Sequence, residues 1–320
     1  MNKARFYIRI FSLIIYTGLI LTGCDSKQND VSVLETTGST VTFQLGTFIC
    51  TVIKDGETSI SAFDFFSGVE RENMRGAFEE YGQDPEAFVL SLQVLVIDTG
   101  DNLVLIDTGL GEPVYSDEGK LIESLQALDI SPEEIDVVII THGHWDHIGG
   151  IADKEGNLCF PNARHIMSRT DWEFWTNEFY LLKEDERLGR WARENLPPLE
   201  GSVELMEENS EIVSGISIIA APGHTLGQIA VSVKSEGQQL LCVGDVVHNH
   251  MQMTYPDIGY VDDENNDQAV STRKSFIEHV IKDHILVYGC HFSFPGLGYV
   301  EKIDGKHVWS WMEVNKPVIH

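Results

Sequence analysis

The chain has 320 residues, 42% hydrophobic and 22% charged, an ordinary globular balance with room for a sizeable core. Its formal net charge of −28 is not ordinary. So large an acidic excess opposes nucleic acid or an anionic membrane as a partner reached by long-range attraction, and favours a neutral or cationic small molecule.

The first residues read as a targeting segment. Lys3, Arg5 and Arg9 precede an apolar stretch from Phe11 to Leu21, and Leu21-Thr22-Gly23-Cys24 follows. This resembles the lipobox of bacterial lipoproteins. The resemblance implies removal of residues 1–23, lipid on the Cys24 thiol, and an extracytoplasmic protein held to a bacterial membrane; a plain signal peptide or an uncleaved anchor are the alternatives. Loss of the three basic side chains takes the charge from −28 to −31. Residues 24–40 are polar and read as a flexible tether, with a single domain over 41–320. Cys50, Cys159, Cys242 and Cys290 show no disulfide spacing, and Cys242 and Cys290, in apolar runs, are expected as buried free thiols.

From Val41 the pattern is of strands. Phe43–Leu45 and Phe48–Ile53 lead to Asp55-Gly56, a turn signal. Arg71–Tyr81 reads as a short polar helix. Leu90–Ile97 and Leu103–Ile106 flank a hairpin at 98–102, and the second run leads into Asp107-Thr108-Gly109. Leu121, Ile122, Leu125 and Leu128 recur at helical spacing. Ser131-Pro132-Glu133-Glu134 carries a capping box with Pro at the first helical position, so a second short helix starts there.

Val137–Ile140 reads as a buried strand whose C-terminal end, where ligands collect in α/β folds, opens into Thr141-His142-Gly143-His144-Trp145-Asp146-His147. His142 and His144, two apart, can face one ion, while Asp146 and His147 fall on the far side of the turn and suit a second. The chain holds 12 histidines in all, so three within one short loop beside an aspartate are not readily assigned to chance. After a further strand at Ala163–Met167, residues from about 171 to 198 form an aromatic-rich helical insertion closed by Pro197-Pro198. Most of its aromatics are expected in the core, with one or two walling a substrate pocket. The strand-then-ligand device then recurs: Ile216–Ala220 leads to His224, Leu240–Val243 to Asp245, and Ile285–Cys290 to His291.

The HxHxDH loop after an apolar strand is similar to the signature of the metallo-β-lactamase fold superfamily, and the likeness extends over residues 41 to 314. It implies an αββα sandwich, two mixed sheets face to face with helices outside. Carried over by position, it implies one ion on His142, His144 and His224, a second on Asp146, His147 and His291, and Asp245 bridging both. It also puts Asp107 beneath the metals, although an ordinary turn aspartate reads equally well. The ions are expected to be zinc, with manganese, iron or cobalt as alternatives. Two such ions would lower the pKa of a shared water for attack on a polarised carbonyl carbon or phosphorus, and Asp146 and Asp245 would hold the ions and take up or orient the proton.

Within the superfamily, Gly244-Asp245-Val246-Val247-His248-Asn249, Thr272-Arg273 and His291-Phe292-Ser293-Phe294-Pro295-Gly296-Leu297-Gly298 look like methyl parathion hydrolase-like and acyl-homoserine lactonase-like enzymes. These imply a small neutral ester, lactone or phosphotriester as substrate. A thioesterase or phosphodiesterase of the same fold and a non-catalytic metal-binding lipoprotein are the other readings. Asp245 stands where class B β-lactamases have Cys or Ser, which disfavours that activity. Gln228 stands where relatives commonly have His, so metal tuning is expected to differ. His248 is a candidate to line the pocket or support a ligand, His250 less so. His165, His279, His284, His307 and His320 are expected at the surface or in structural roles.

Overall fold

The computed structural model describes residues 31–111, 118–177, 186–207 and 209–314. The leader, Cys24, Phe179, Tyr180 and His320 lie outside them. Among the described residues no helix is long and apolar enough to cross a membrane.

Two sheets form the frame. The first has eight strands: β1 (Ser32–Thr36), β2 (Thr40–Leu45), β3 (Phe48–Ile60), β5 (Phe88–Asp98), β6 (Leu103–Ile106), β7 (Val137–Ile139), β8 (Arg164–Ser168) and β9 (Glu204–Met206), in that order across the sheet. Pairing is antiparallel from β1 to β6 and parallel from β6 to β9. The second has seven: β10 (Glu211–Val213), β11 (Ile216–Ala220), β12 (Ile229–Ser235), β13 (Gln238–Cys242), β15 (Leu286–Tyr288), β16 (Leu297–Ile303) and β17 (Lys306–Trp311). All its neighbours are antiparallel except β13 and β15. A short β4 (Phe66–Ser67) pairs with β14 (Gly259–Tyr260) beside them.

The continuous apolar runs are explained by burial on both faces, since successive strand residues point to opposite sides. Val137 and Ile139 enter the core between the sheets with Leu240, Cys242, Leu286 and Tyr288. Their neighbours Val138 and Ile140 face outward onto helices α3 (Leu121–Ala127), α5 (Arg169–Trp175) and α6 (Glu186–Asn195). Leu241 and Val287 likewise face Ile277 and Val280 of α7 (Asn266–Asp283). The order is therefore helix, sheet, sheet, helix, the αββα sandwich expected.

The parallel arrangement positions the site. β6 and β7 run together, and β11, β13 and β15 share one direction, so the segments after them gather at one edge of the sandwich. Those segments carry Asp107, His142 to His147, His224, Asp245 and His291.

Two expectations need correction, and one helix was not expected. The tether expected over 24–40 is ordered where it is described: Ser32–Thr36 pairs with β2 as the sheet's edge strand. Asp55-Gly56 is not a turn, because β3 runs on to Ile60 through a bulge between Lys54 and Gly56. Gly56 is needed there, since a Cβ would stand 2.7 Å from Glu118 Cγ, and the Asp55 carboxylate accepts from the Leu110 and Leu121 N–H groups at 2.9 and 2.7 Å. Finally, the 18-residue α7 is a helix not anticipated, capped by Asn265, whose side chain accepts from Gln268 N at 3.1 Å. Within the insertion, Phe174 and Trp175 are core, as expected, while Trp172 and Trp191 are half-buried.

Candidate metal centre

Each predicted ligand sits on a short segment leaving a buried strand, and Asp245 is at their centre. Its Oδ2 lies 3.3 Å from His224 Nε2, 3.7 Å from His142 Nε2 and 3.2 Å from His248 Nε2. Its Oδ1 lies 3.1 Å from His291 Nε2 and 3.2 Å from His147 Nε2. His144 Nδ1 faces His224 Nε2 at 2.8 Å. The one-turn helix α4 (Trp145–Ile148), with His144 as its N-cap, swings Asp146 and His147 to the other side. There Asp146 Oδ2 is 3.5 Å from His291 and 3.7 Å from His147. The structure thus brings His142, His144 and His224 together on one side of Asp245 and His147 and His291 on the other, with Asp146 beside the second group. Asp146 is the most open, its side chain 9% exposed.

Electrostatics follow from burial and from that carboxylate. Burial, reinforced by neighbouring imidazoles, holds His142 and His144 well below the ordinary histidine range, neutral with a lone pair to give. Burial pushes His147 and His291 the same way, but Asp245 outweighs it and holds both above that range. Burial would raise Asp245 too; His291 and His147 foremost keep it well below the usual carboxylate range. His248, buried, is pushed down to about 4.

A layer of hydrogen bonds orients the imidazoles. Asp107 accepts from the Thr141 N–H at 2.8 Å, the Thr141 hydroxyl at 2.9 Å and His147 Nδ1 at 2.8 Å. It supports a ligand from beneath, and is no idle turn residue. His224 Nδ1 pairs with Asp263 at 3.0 Å, and His291 Nδ1 with the Ser91 carbonyl at 3.0 Å. Asp171, fully buried and raised to about 6 by that burial, accepts from Gly143 N at 2.8 Å, Thr225 Oγ1 at 2.6 Å and Gly227 N at 3.3 Å. One carboxylate so ties the His142–His144 loop to the His224 loop.

Sequence reasoning missed Asp171, Asp263 and Ser91. The signal at Asp171 was there but local: Ser168 caps α5 by accepting from Asp171 N at 3.1 Å, a pattern that says nothing of where the carboxylate points. Aromatic rings close the flanks. Trp175 meets His144 edge to face at 5.3 Å, and Phe65 and Tyr260 stand 5.5 and 4.4 Å from His248. Gln228 is buried behind the site, both polar side-chain atoms unpartnered. His250 faces away, among Tyr81, Phe292 and Trp311. His165 is buried in a structural place, and His279 and His284 are at the surface.

These residues fit a pair of divalent ions. The Nε2 atoms of His142, His144 and His147 are buried without hydrogen-bond partners, an arrangement that is costly unless something binds there. The ligand atoms of His142, His144, His224 and Asp245 all lie within 4.8 Å of one another, and so do those of His147, Asp245, Cys290 and His291. Nitrogen and oxygen ligands of a tetrahedral ion with bonds of about 2.0 Å stand about 3.3 Å apart, close to the separations about Asp245.

Known proteins resemble the chain in sequence and in fold. The family model of the metallo-beta-lactamase superfamily matches residues 89–289. An N-acyl homoserine lactonase of a Bacillus species is 24% identical over 228 residues, 64% of this chain and 83% of its own. Among solved structures, AidC, a dizinc quorum-quenching lactonase in complex with a product, superposes with a TM-score of 0.80 at 24% identity, over 87% of this chain and 99% of that one. The hydrolase AbOPH also gives a TM-score of 0.80 at 24% identity, over 88% of this chain and all of its own.

Proposed function

The chain belongs to the metallo-beta-lactamase superfamily and is a metal-dependent hydrolase, and on that premise we propose that it opens small uncharged lactones and related esters at a two-ion centre. The observation that carries this reading is Asp245, buried with one oxygen toward His142 and His224 and the other toward His147 and His291. Bound there, the two ions supply Lewis acidity and an activated water.

The chain's own residues do the rest. Asp107, Asp263 and the Ser91 carbonyl fix the rings of His147, His224 and His291, so that each presents Nε2 inward. In this reading Asp146, the most solvent-open carboxylate of the set, moves a proton between the reacting centre and water. Trp175, Phe65 and Tyr260 exclude water from the flanks. The acidic chain supports an uncharged substrate, and lactonases among its relatives support the lactone first.

The test is a panel of acyl-homoserine lactones, aryl esters, phosphotriesters, thioesters and β-lactams on metal-loaded protein, beside Asp245→Ala. Lactone turnover that the variant loses supports the reading; no turnover, or an active variant, removes it. The lipobox-like Leu21–Cys24 supports attachment at the outer side of a bacterial membrane, checked by fatty-acid labelling that Cys24→Ser should abolish.

A further inference from the structure

Cys290 and His291 are the central residues of a turn in which the Phe292 N–H donates to the Gly289 carbonyl at 3.2 Å, so consecutive side chains can face one centre. The Cys290 sulfur stands 3.6 Å from Asp245 Oδ1, and the residue is 4% exposed. His147 Nε2, whose ring shares a group with Cys290 in which all ligand atoms lie within 4.8 Å, is buried without a hydrogen-bond partner. About Asp245 Oδ1 the separations are 3.1 Å to His291, 3.2 Å to His147 and 3.6 Å to Cys290. A tetrahedral ion with bonds of about 2.0 Å to nitrogen or oxygen and about 2.3 Å to sulfur has edges of about 3.3 Å between the light atoms and about 3.5 Å to the sulfur. The longer edge falls on the cysteine.

We propose that Cys290, in the place expected for Asp146, is a sulfur ligand of the second ion, beside His147, His291 and Asp245. The inference rests on the two-ion reading and makes the two positions chemically unlike. His142, His144 and His224 offer imidazole alone beside the shared carboxylate, whereas the second position adds a soft thiolate. As the metal–sulfur bond forms, the thiol proton passes to solvent. Sulfur favours zinc at that position over manganese, which prefers oxygen.

Zinc-edge X-ray absorption on the full two-zinc protein decides the matter without relying on activity. The expected spectrum contains a sulfur shell at about 2.3 Å amounting to about half a sulfur per zinc, one cysteine shared over two ions. Cys290→Ser should remove that shell. Two zinc ions with only nitrogen and oxygen neighbours would overturn the proposal and leave Cys290 as a thiol donating to Asp245, with the two-ion reading intact. A sulfur shell that persists in Cys290→Ser overturns it as well. Fewer than two zinc ions in the parent overturns the two-ion reading and this inference with it. Should the variant not fold, the parent spectrum alone answers.

Discussion

Replacing Asp107 by Asn keeps the side chain's shape and isolates its part in binding the second ion. The carboxylate accepts three hydrogen bonds, from the Thr141 N–H, the Thr141 hydroxyl and His147 Nδ1. An amide that keeps its oxygen on the Thr141 N–H must turn its NH2 toward the other two. The hydroxyl can accept instead of donate, but His147 Nδ1 then meets a donor and must give up its proton. That proton moves to Nε2, the atom facing Asp245 at 3.2 Å, and a protonated Nε2 cannot bind an ion. Loss of such a support for a metal-bound histidine weakens the ion roughly 10- to 100-fold, about 1.4 to 2.7 kcal/mol. The backbone tolerates the change, because Asp107 has φ 61°, a left-handed conformation that Asn adopts readily. Zinc competition against a chromophoric chelator measures both affinities. The second ion should weaken within that range and the first much less. An unchanged second affinity, or equal losses at both positions, refutes the reasoning.

Three further outcomes are expected. His250 is pushed down to about 4 by burial, so below its ordinary 6.5 the unfolded chain binds the proton that the folded one refuses. Stability therefore falls as pH drops from about 6.5 to about 4, by up to about 3 kcal/mol for this group. His250→Phe should flatten that slope in urea unfolding of chelated protein, and parallel pH profiles for parent and variant would exclude the effect. Gly143→Ala puts a Cβ 2.2 Å from Trp175 Cδ1, forcing apart the ring and the loop that carries His142 and His144. Thermal unfolding should show about 1 to 3 kcal/mol of destabilisation. Chelation should lower the melting temperature by an amount that grows with the zinc concentration previously present, about 4 kcal/mol of stabilisation being lost from a thousandfold excess over Kd. A melting temperature indifferent to chelator would show that the cluster holds nothing.

Both the fold and the clustering of the candidate ligands were legible because one device repeats: an apolar strand buried on both faces, then His or Asp at its carboxyl end. Hydrophobic runs reveal such strands directly, and the strand end places the ligand. What stayed hidden depends on contacts between distant segments. Asp263 lies 39 residues from the His224 it supports, and Ser91 lies 200 from His291. Helix α7 escaped notice because its buried face includes Thr272 and Arg273 at helical spacing with Ala269, Ile277 and Val280, so the stripe reads as polar. The Arg273 guanidinium is buried against the Val246, Pro256 and Ile258 carbonyls, at 2.7, 2.8 and 2.8 Å. Asp55-Gly56 misled in the opposite sense. A pair common in hairpin turns serves here as a bulge whose aspartate holds two distant N–H groups, and sequence does not distinguish these uses.

The claim on which the rest depends is that Asp245 stands between two ions. Anomalous diffraction at the zinc edge, from crystals of zinc-loaded protein, tests it most directly. Two peaks are expected, one toward Asp245 Oδ2 among His142, His144 and His224, the other toward Oδ1 between His147 and His291. A single peak, or peaks away from Asp245, would contradict the account.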